Sequence, residues 1–326
     1  MWYRITLFRF GRLPVFAYFV LIFITASSPA NAAIELASPF GNNYEFSVLD
    51  TPTGVPGNLG GLTLLAGDTN TLLIGGNANL DGAAIYQIGV VRDAGGHITG
   101  YSATASVFAT APNIDGGLAY GPGGVLFFTR YPQSFIGQIK PGSGSPDRTD
   151  GVLSTNFGNV GTLAFVPAGF AGEGQLKVAS YNGGANFGTI ALTPDGNGAY
   201  ELGNVPTPYL SIGGGPEGIA YVKGTYPGFG VDSVLISENI LSTIATYKID
   251  SNGDPILGTR REFLTGVTGA EGAFVDPVTG DFIFSTWGNG NKIIVVRGIV
   301  PEPASWLAWV GLALVGGALA YRRVIA

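Results

Sequence analysis

Two glutamates, Glu217 and Glu271, stand at equivalent points of two internal repeats and are the best candidates for metal chemistry in this chain. Carboxylate oxygens are preferred ligands of Ca²⁺, which takes 6–8 oxygens including backbone carbonyls and water. Asp115, Asn113 and Asn289 could add oxygens to such a site. The alternative is that both glutamates are solvated or accept hydrogen bonds from backbone N–H groups. Two strong ligands do not by themselves complete a Ca²⁺ site, so the sequence favours this alternative and predicts no cofactor other than Ca²⁺.

Other catalytic chemistry has few residues to work with. The chain has no cysteine and one histidine, His97, in a Gly-rich segment that predicts an exposed hairpin turn. A multi-histidine zinc site is therefore excluded, and a Ser-His-Asp hydrolase would have to use His97. The segment 250–254 resembles half of a calcium loop, but its Asp, Asn and Gly residues are equally typical of a turn between two strands. The sequence therefore favours a protein that is not an enzyme.

Seven aromatic residues lie in or near Gly- and Pro-rich loops. Exposed rings beside Asn and Asp could stack on sugar rings, whereas buried ones would fill the gaps between packed sheets. The second interpretation is favoured. The seven residues are Tyr131, Tyr181, Phe187, Tyr209, Tyr226, Phe229 and Trp287.

The elements that must position these residues form a repeat. Gly61, Gly117, Thr162, Gly218 and Gly272 each begin a short apolar strand, and these starts are 56, 45, 56 and 54 residues apart. Each is followed by a turn and by further strands, and no sustained helical period is present. The second strand of each unit is expected at 72–74, 125–128, 176–179, 233–236 and 281–284, and the third at 84–88, 136–139, 189–192, 244–249 and 292–296.

Three to four strands in each of five units of about 50 residues predict an all-β protein, a β-propeller. Five blades are expected, or six if a divergent one lies within 141–160 or 199–214. The last unit ends after its third strand, so an N-terminal strand at 44–49 is expected to complete it. A β-sandwich or β-solenoid is the competing architecture.

The sequence pattern of the first strands resembles that of NHL-like and lactonase-like propellers. It consists of a small residue followed by Leu or Ile, then Ala, then Tyr or Phe. In those folds the start of each inner strand faces a central channel. The resemblance therefore places Gly60, Gly116, Gly161, Glu217 and Glu271 at one end of the channel.

Residues 1–32 have the layout of a secretory signal peptide. Arg4, Arg9 and Arg12 precede an apolar core, and small residues before position 33 predict cleavage by signal peptidase after Ala32. An uncleaved N-terminal anchor is the alternative. The exported body would then span residues 33–299.

Residues 300–326 combine three features in a fixed order. Pro301, Glu302 and Pro303 precede 17 uncharged residues, 305–321, which are long enough for a short transmembrane helix. Arg322 and Arg323 follow, a basic end that belongs on the cytoplasmic side. This order resembles the PEP-CTERM sorting tail of exported bacterial proteins. The resemblance implies recognition and removal of the tail by an exosortase, the tripeptide being the recognition motif. An ordinary C-terminal anchor is the alternative.

The charge of the chain limits its partners. The formal net charge is −6, and losing both ends would remove five arginines and make the body more negative. Binding of nucleic acid through a basic patch is therefore not expected. Two functions remain: an exported, non-catalytic surface or extracellular-matrix module that binds polysaccharide or a surface protein, and a periplasmic metal-dependent, lactonase-like enzyme that uses Glu217 and Glu271. The first is favoured.

Overall fold

The computed structural model describes residues 33–152, 156–288 and 290–299, which form 24 strands and two short 3-10 helices at Phe40–Asn42 and Pro122–Gly124. In chain order the strands are β1 (Glu35–Leu36), β2 (Tyr44–Leu49), β3 (Leu62–Leu65), β4 (Asp68–Gly76), β5 (Ala84–Arg92), β6 (Ile98–Tyr101), β7 (Ser106–Thr110), β8 (Ile114–Tyr120), β9 (Leu126–Arg130), β10 (Phe135–Ile139), β11 (Arg148–Gly151), β12 (Val160–Phe165), β13 (Leu176–Ser180), β14 (Asn186–Ile190), β15 (Leu192–Pro194), β16 (Tyr200–Leu202), β17 (Leu210–Ser211), β18 (Pro216–Val222), β19 (Ser233–Glu238), β20 (Thr243–Lys248), β21 (Arg261–Thr265), β22 (Ala270–Val275), β23 (Phe282–Thr286) and β24 (Ile293–Gly298).

These strands build six antiparallel sheets, of which five, with four or five strands each, are arranged as the blades of a β-propeller. Blade 1 is β3-β4-β5, with β6 and β7 sharing the outer edge, and blade 2 is β8-β9-β10-β11. Blade 3 is β12-β13-β14-β17, with β15 and β16 forming a separate hairpin. Blade 4 is β18-β19-β20-β21, to which β1 adds, and blade 5 is β22-β23-β24 with β2.

The predicted five-blade propeller is confirmed, and the sandwich and solenoid alternatives are wrong. Neither candidate segment for a sixth blade forms one within its described residues. Segment 141–160 contains β11, the outer strand of blade 2, and segment 199–214 contains β16 and the outer strand β17 of blade 3. The third strand of blade 3 lies at 186–190 and not at 189–192, because it ends before Ala191 and the chain then enters the β15–β16 hairpin.

The ring closes where the two ends of the described chain pair. The N-terminal strand β2 runs antiparallel to β24, from Tyr44 opposite Gly298 to Leu49 opposite Ile293. This pairing was expected from the sequence, and the structure confirms it. It supplies the outer strand of blade 5, so β24 is paired on both sides and β2 forms the outer edge of the sheet.

Five buried apolar clusters hold the blades together, one between each pair of neighbours. The middle strands show how a single run of residues serves two clusters. In β9, Leu126 and Phe128 pack toward blade 1, whereas Phe127 packs toward blade 3. Successive side chains of a strand point to opposite faces, and both faces of each blade are covered. The uninterrupted apolar runs of the second strands follow from this double burial.

Two acidic hairpin residues of blade 5 pair with basic residues of blade 1. The fully buried carboxylate of Asp276 accepts from Arg92 Nη1 at 2.5 Å, and Asp281 Oδ2 lies 2.8 Å from His97 Nδ1. His97 lies in the predicted hairpin turn, where the Asp93 N–H donates to the His97 carbonyl at 3.0 Å. Its side chain is only 26% exposed, because the ring turns toward the neighbouring blade.

The calcium-like segment 250–254 is the predicted turn. The Asp250 N–H donates to the Asp254 carbonyl at 2.9 Å, and the Asp250 carboxylate accepts from two backbone N–H groups of the loop. Asp254 is held at 2.6 Å by the buried amine of Lys177. Both carboxylates therefore already have partners within the fold.

Among the described residues, no helix has the length and hydropathy needed to span a membrane. The predicted signal peptide (1–32) and sorting tail (300–326) lie outside the described residues and stay predictions.

The closing strand provides a test of this architecture. Tyr44 is 3% exposed and its ring packs against Phe263 and Phe282, so Tyr44→Ala should lower the free energy of unfolding by about 3–5 kcal/mol. Val48→Ala is the matched control, because Val48 lies on the same strand with 44% exposure and should cost less than about 1 kcal/mol. Denaturant unfolding measures both. Equal, small effects would mean that β2 does not close the ring.

Candidate functional site

Local irregularities at the start of the inner strands set the channel-facing residues. In β18 the register jumps from Pro216 to Gly218, so Glu217 has no partner residue on β19. The same kind of irregularity skips Gly161 in β12 and the Glu271–Gly272 pair in β22. Bulges of this kind bend a strand and re-aim a side chain. They turn the equivalent positions of different blades toward one another.

The glycines at the equivalent positions are required by the close approach of the inner strands. A Cβ placed on Gly116 would collide with the backbone of Glu217, and one on Gly161 would lie 2.6 Å from Glu217 Oε2. Between blades 1 and 2, the Gly61 N–H donates to the Asp115 carbonyl at 2.7 Å. Glycine at 116 therefore permits the close approach of the Glu217 backbone, and glycine at 161 leaves the space that the Glu217 carboxylate occupies.

Three carboxylates from three blades meet in this space. Asp115 comes from blade 2, Glu217 from blade 4 and Glu271 from blade 5, and each offers an oxygen within 4.8 Å of the other two. The side chains are buried, with 1%, 4% and 2% exposure respectively. The two predicted glutamates are thus brought together, and Asp115, expected as an additional ligand, joins them.

Each of the three carboxylates has an oxygen without a hydrogen-bond partner. These are Asp115 Oδ2, Glu217 Oε2 and Glu271 Oε1, and the amide Oδ1 of Asn79 is unpartnered as well. Asn239 Nδ2 donates to the other oxygen of Glu271 at 3.3 Å. Buried polar atoms almost always have partners, so a group of four acceptors facing one space indicates a site built to receive a ligand.

The electrostatics of the cluster are unfavourable for the protein alone. Burial raises the pKa of Asp115 to about 7. Burial also raises the pKa values of Glu217 and Glu271 well above their ordinary values, and the charge of Asp115 raises both further. Loss of water and like-charge repulsion both disfavour the ionised forms. A bound cation would reverse both effects, because it would supply the positive charge that these carboxylates lack.

A cavity of about 260 Å³ opens above the carboxylates. None of its lining residues is basic. Besides the three acids, the lining residues are Asn79, Asn239, Tyr131, Tyr181 and Trp287. The rings of Tyr131 and Tyr181 meet edge to face with 5.6 Å between their centres. The cavity therefore has three carboxyl groups at its floor, and amide and aromatic side chains form its walls.

The seven aromatic loop residues separate into two groups. Tyr131, Tyr181 and Trp287 line the cavity. The others pack inside the fold as gap-fillers, the favoured interpretation: Phe187 and Phe229 are buried, Tyr209 packs against Phe157, and Tyr226 packs against Phe282.

The remaining candidate oxygens lie elsewhere. The side-chain amide of Asn113 donates to Asp81 at 3.1 Å, and Asn113 does not line the cavity. Asn289 lies outside the described residues. Asn79 and Asn239 were missed by sequence reasoning, although Asn239 follows the end of β19 directly, on the edge where the channel mouth lies.

Comparisons with known proteins identify no family for this chain. No family model and no curated protein matches the chain. Among solved structures, a glucose dehydrogenase is 13% identical, with 76% of this chain and 98% of that chain covered and a TM-score of 0.45. An auxiliary nutrient binding protein from Bacteroides ovatus is 12% identical over 79% and 78% of the two chains, with a TM-score of 0.43. A streptogramin B lyase is 13% identical over 79% and 98%, with a TM-score of 0.39.

The glycine at position 161 tests the geometry of the site. Gly161→Ala should push Glu217 Oε2 away from the other carboxylates, at a cost of about 1–3 kcal/mol in the free energy of unfolding, because its Cβ also meets the Pro216 carbonyl at 2.6 Å. Gly82→Ala is the control, since nothing lies within 4 Å of the added methyl group. Thermal unfolding of both variants measures the difference. A neutral Gly161→Ala would show that the inner strands are farther apart than described.

Proposed function

We propose that this chain is an exported, non-catalytic binding module whose central channel holds one divalent cation, Ca²⁺ by preference. The observation that carries the proposal is the cluster of Asp115, Glu217 and Glu271, buried together with unpartnered oxygens. A buried charge without a partner is strongly destabilising. The raised pKa values of the three carboxyl groups reflect this penalty, and a bound cation would remove it.

The donor set favours Ca²⁺ over other common metals. Only oxygen donors face the cluster, and none of the residues lining the cavity is histidine or cysteine, the usual zinc ligands. Three carboxylates, the free amide oxygen of Asn79 and waters from the cavity can reach the 6–8 oxygens of Ca²⁺. Mg²⁺ demands a tighter octahedron and usually keeps most of its own water.

A metal-dependent enzyme, lactonase-like in character, is the second candidate. It is favoured by one observation: three carboxyl groups lie at the base of a concave cavity, and one that does not bind the metal could act as a general base. Such a group is suited to general acid–base chemistry. His97 lies on the blade 1–blade 5 contact and does not line the cavity, so the titratable groups that line it are the three carboxyl groups and the phenols of Tyr131 and Tyr181. Cation-dependent turnover of a lactone panel would favour this candidate over the binding module.

Export and sorting form the second part of the proposal. They are supported by the sequence of the two ends alone: cleavage by signal peptidase after Ala32, then recognition of Pro301, Glu302 and Pro303 by an exosortase while residues 305–321 hold the precursor in the membrane. The body would then reside at the cell surface or in the extracellular matrix. Its partners there would be polysaccharide or another surface protein.

Cation binding is tested by titrating the purified, chelator-treated chain with Ca²⁺ in a calorimeter. One site is expected, and Glu217→Gln or Glu271→Gln should weaken binding by about tenfold or more, because ligand charge sets Ca²⁺ affinity. At a hundredfold excess over Kd, Ca²⁺ should stabilise the parent chain by about 2.7 kcal/mol.

The sign of the effect without metal separates a ligand from a structural carboxylate. In EDTA, Glu217→Gln should unfold at the same temperature as the parent or higher, because the amide stays neutral beside Asp115 and Glu271 without taking up a proton. Asp276→Asn is the control: it breaks a buried ion pair with Arg92 and should destabilise the chain with or without Ca²⁺. If Glu217→Gln behaves like Asp276→Asn and Ca²⁺ has no effect, the glutamates are structural and the cation proposal fails.

Processing is tested in the native host. Arg322→Glu with Arg323→Glu should leave the precursor misprocessed, because the basic end would no longer mark the cytoplasmic side of the span. Mass spectrometry of the mature C-terminus reads the outcome: the parent should end near Pro301–Pro303, and the double variant should keep its tail. Normal maturation of the variant, or a parent chain ending at Ala326, would contradict sorting by an exosortase.

A further inference from the structure

We propose that the channel mouth carries two adjoining subsites for consecutive rings of an uncharged saccharide chain, with one ring above the cation and the next beyond Trp287. This inference rests on the proposed function, since the first subsite includes the cation held by Asp115, Glu217 and Glu271. It adds the class of ligand and its minimum length.

The two subsites are two cavities that share a wall. Beside the cavity above the carboxylates lies a second one of about 240 Å³, and Asn239 and Trp287 line both. The second cavity is completed by Ser242, Thr268, Gly269 and Gly288. Trp287 is 38% exposed and therefore offers its ring to whatever passes from one cavity to the other.

The backbone at Trp287 is held by a contact between two loops. The Trp287 N–H donates to the Gly269 carbonyl at 2.7 Å, which joins the loop after β23 to the loop before β22. Gly269 has a φ of +70° and no room for a Cβ, which would meet the carbonyl of Trp287. Only glycine satisfies both requirements without strain. The backbone that carries Trp287 is thus held at the wall that the two cavities share.

Charge decides between acidic and neutral ligands. None of the residues that line the two cavities is Lys, Arg or His. Three carboxylates with one divalent cation keep a net charge of about −1, so a phosphate, sulfate or uronate group would meet repulsion and find no basic partner. Uncharged hydroxyl groups carry no such penalty, and hydroxyl oxygens are suitable ligands for Ca²⁺.

The other lining groups suit a polyhydroxylated ring. Asn79 and Asn239 carry amides, Ser242 and Thr268 carry hydroxyls, and each can donate to and accept from sugar hydroxyls. The flat face of Trp287 can cover the apolar face of a ring. Both volumes are below the range of about 300–1,000 Å³ typical of drug-sized ligands, so each cavity has room for about one ring.

The test uses a glycan array with neutral hexose mono-, di- and trisaccharides beside uronic-acid and sulfated chains, probed with the full chain in Ca²⁺ and in EDTA. Neutral chains of two or more rings should be retained, and EDTA should release them. In solution, calorimetry with the best neutral disaccharide should show that Trp287→Ala lowers the binding affinity by about tenfold or more. Trp287→Phe should recover part of the loss, because it restores a stacking face.

Matched variants separate the subsites from the cation. Thr268→Val should lower the affinity for the disaccharide and leave the affinity for the monosaccharide unchanged, because Thr268 lines only the second cavity. Ile240→Ala, which removes a 61% exposed apolar side chain from the nearby β19–β20 turn without touching either cavity, should change nothing. Trp287→Ala should also keep its Ca²⁺ affinity, which shows that the variant is folded.

Several results would overturn the inference while leaving the cation site standing. These are Ca²⁺ binding with retention of no glycan or of acidic glycans only, equal affinity for one ring and two, or an unchanged affinity in Trp287→Ala. Saccharide binding that persists in EDTA would likewise remove the cation from the first subsite. Absence of Ca²⁺ binding itself would instead refute the proposed function.

Discussion

The structure depends on the burial of both faces of every sheet, which only a closed ring provides. A single blade has two apolar faces, and the five clusters between blades cover all ten of them. The pairing of β2 with β24 is the contact that makes the ring closed rather than open, since it completes blade 5 with a strand from the other end of the body. Without it, blade 5 would have three strands with β24 at its edge, and its packing on blades 4 and 1 would weaken.

In the channel, close packing of the inner strands is combined with the burial of acidic groups that have no basic partner. Close approach of the inner strands excludes side chains at Gly116 and Gly161, and the space so kept is filled by acidic groups that have no positive partner. Everywhere else in the described body, buried carboxylates are paired. Asp276 meets Arg92, and Glu238 accepts from Arg260 at 2.6 Å. The unpaired cluster is therefore an exception to the rule that the rest of the body follows, and exceptions of this kind mark functional sites.

Much of the fold could be predicted from the sequence, because short apolar strands were visible and recurred about every 50 residues. The apolar runs at 72–74, 125–128, 176–179, 233–236 and 281–284 are all second strands, since double burial requires continuous apolar residues. The third strand of blade 3 was misplaced because the β15–β16 hairpin interrupts the period at Ala191. In the site, Glu217 and Glu271 were found from their equivalent positions in the repeat. Asn79 and Asn239 were missed because both lie in loops, where amides are common for reasons of turn geometry alone.

The sequence alone did not favour a metal site, because the three carboxylates come from different repeats and meet only in the folded ring. Two glutamates count as two weak ligands when each is considered alone, and the sequence offers Asp115 only as one of three additional oxygen candidates beside Asn113 and Asn289. The three residues belong to separate blades, and an isolated blade carries no more than one of them. A nascent chain that stops before Glu271, or a fragment cut between blades, consequently has no such pocket. Affinity for the cation would arise only after the last blade is in place, so metal loading would act as a report that assembly is complete.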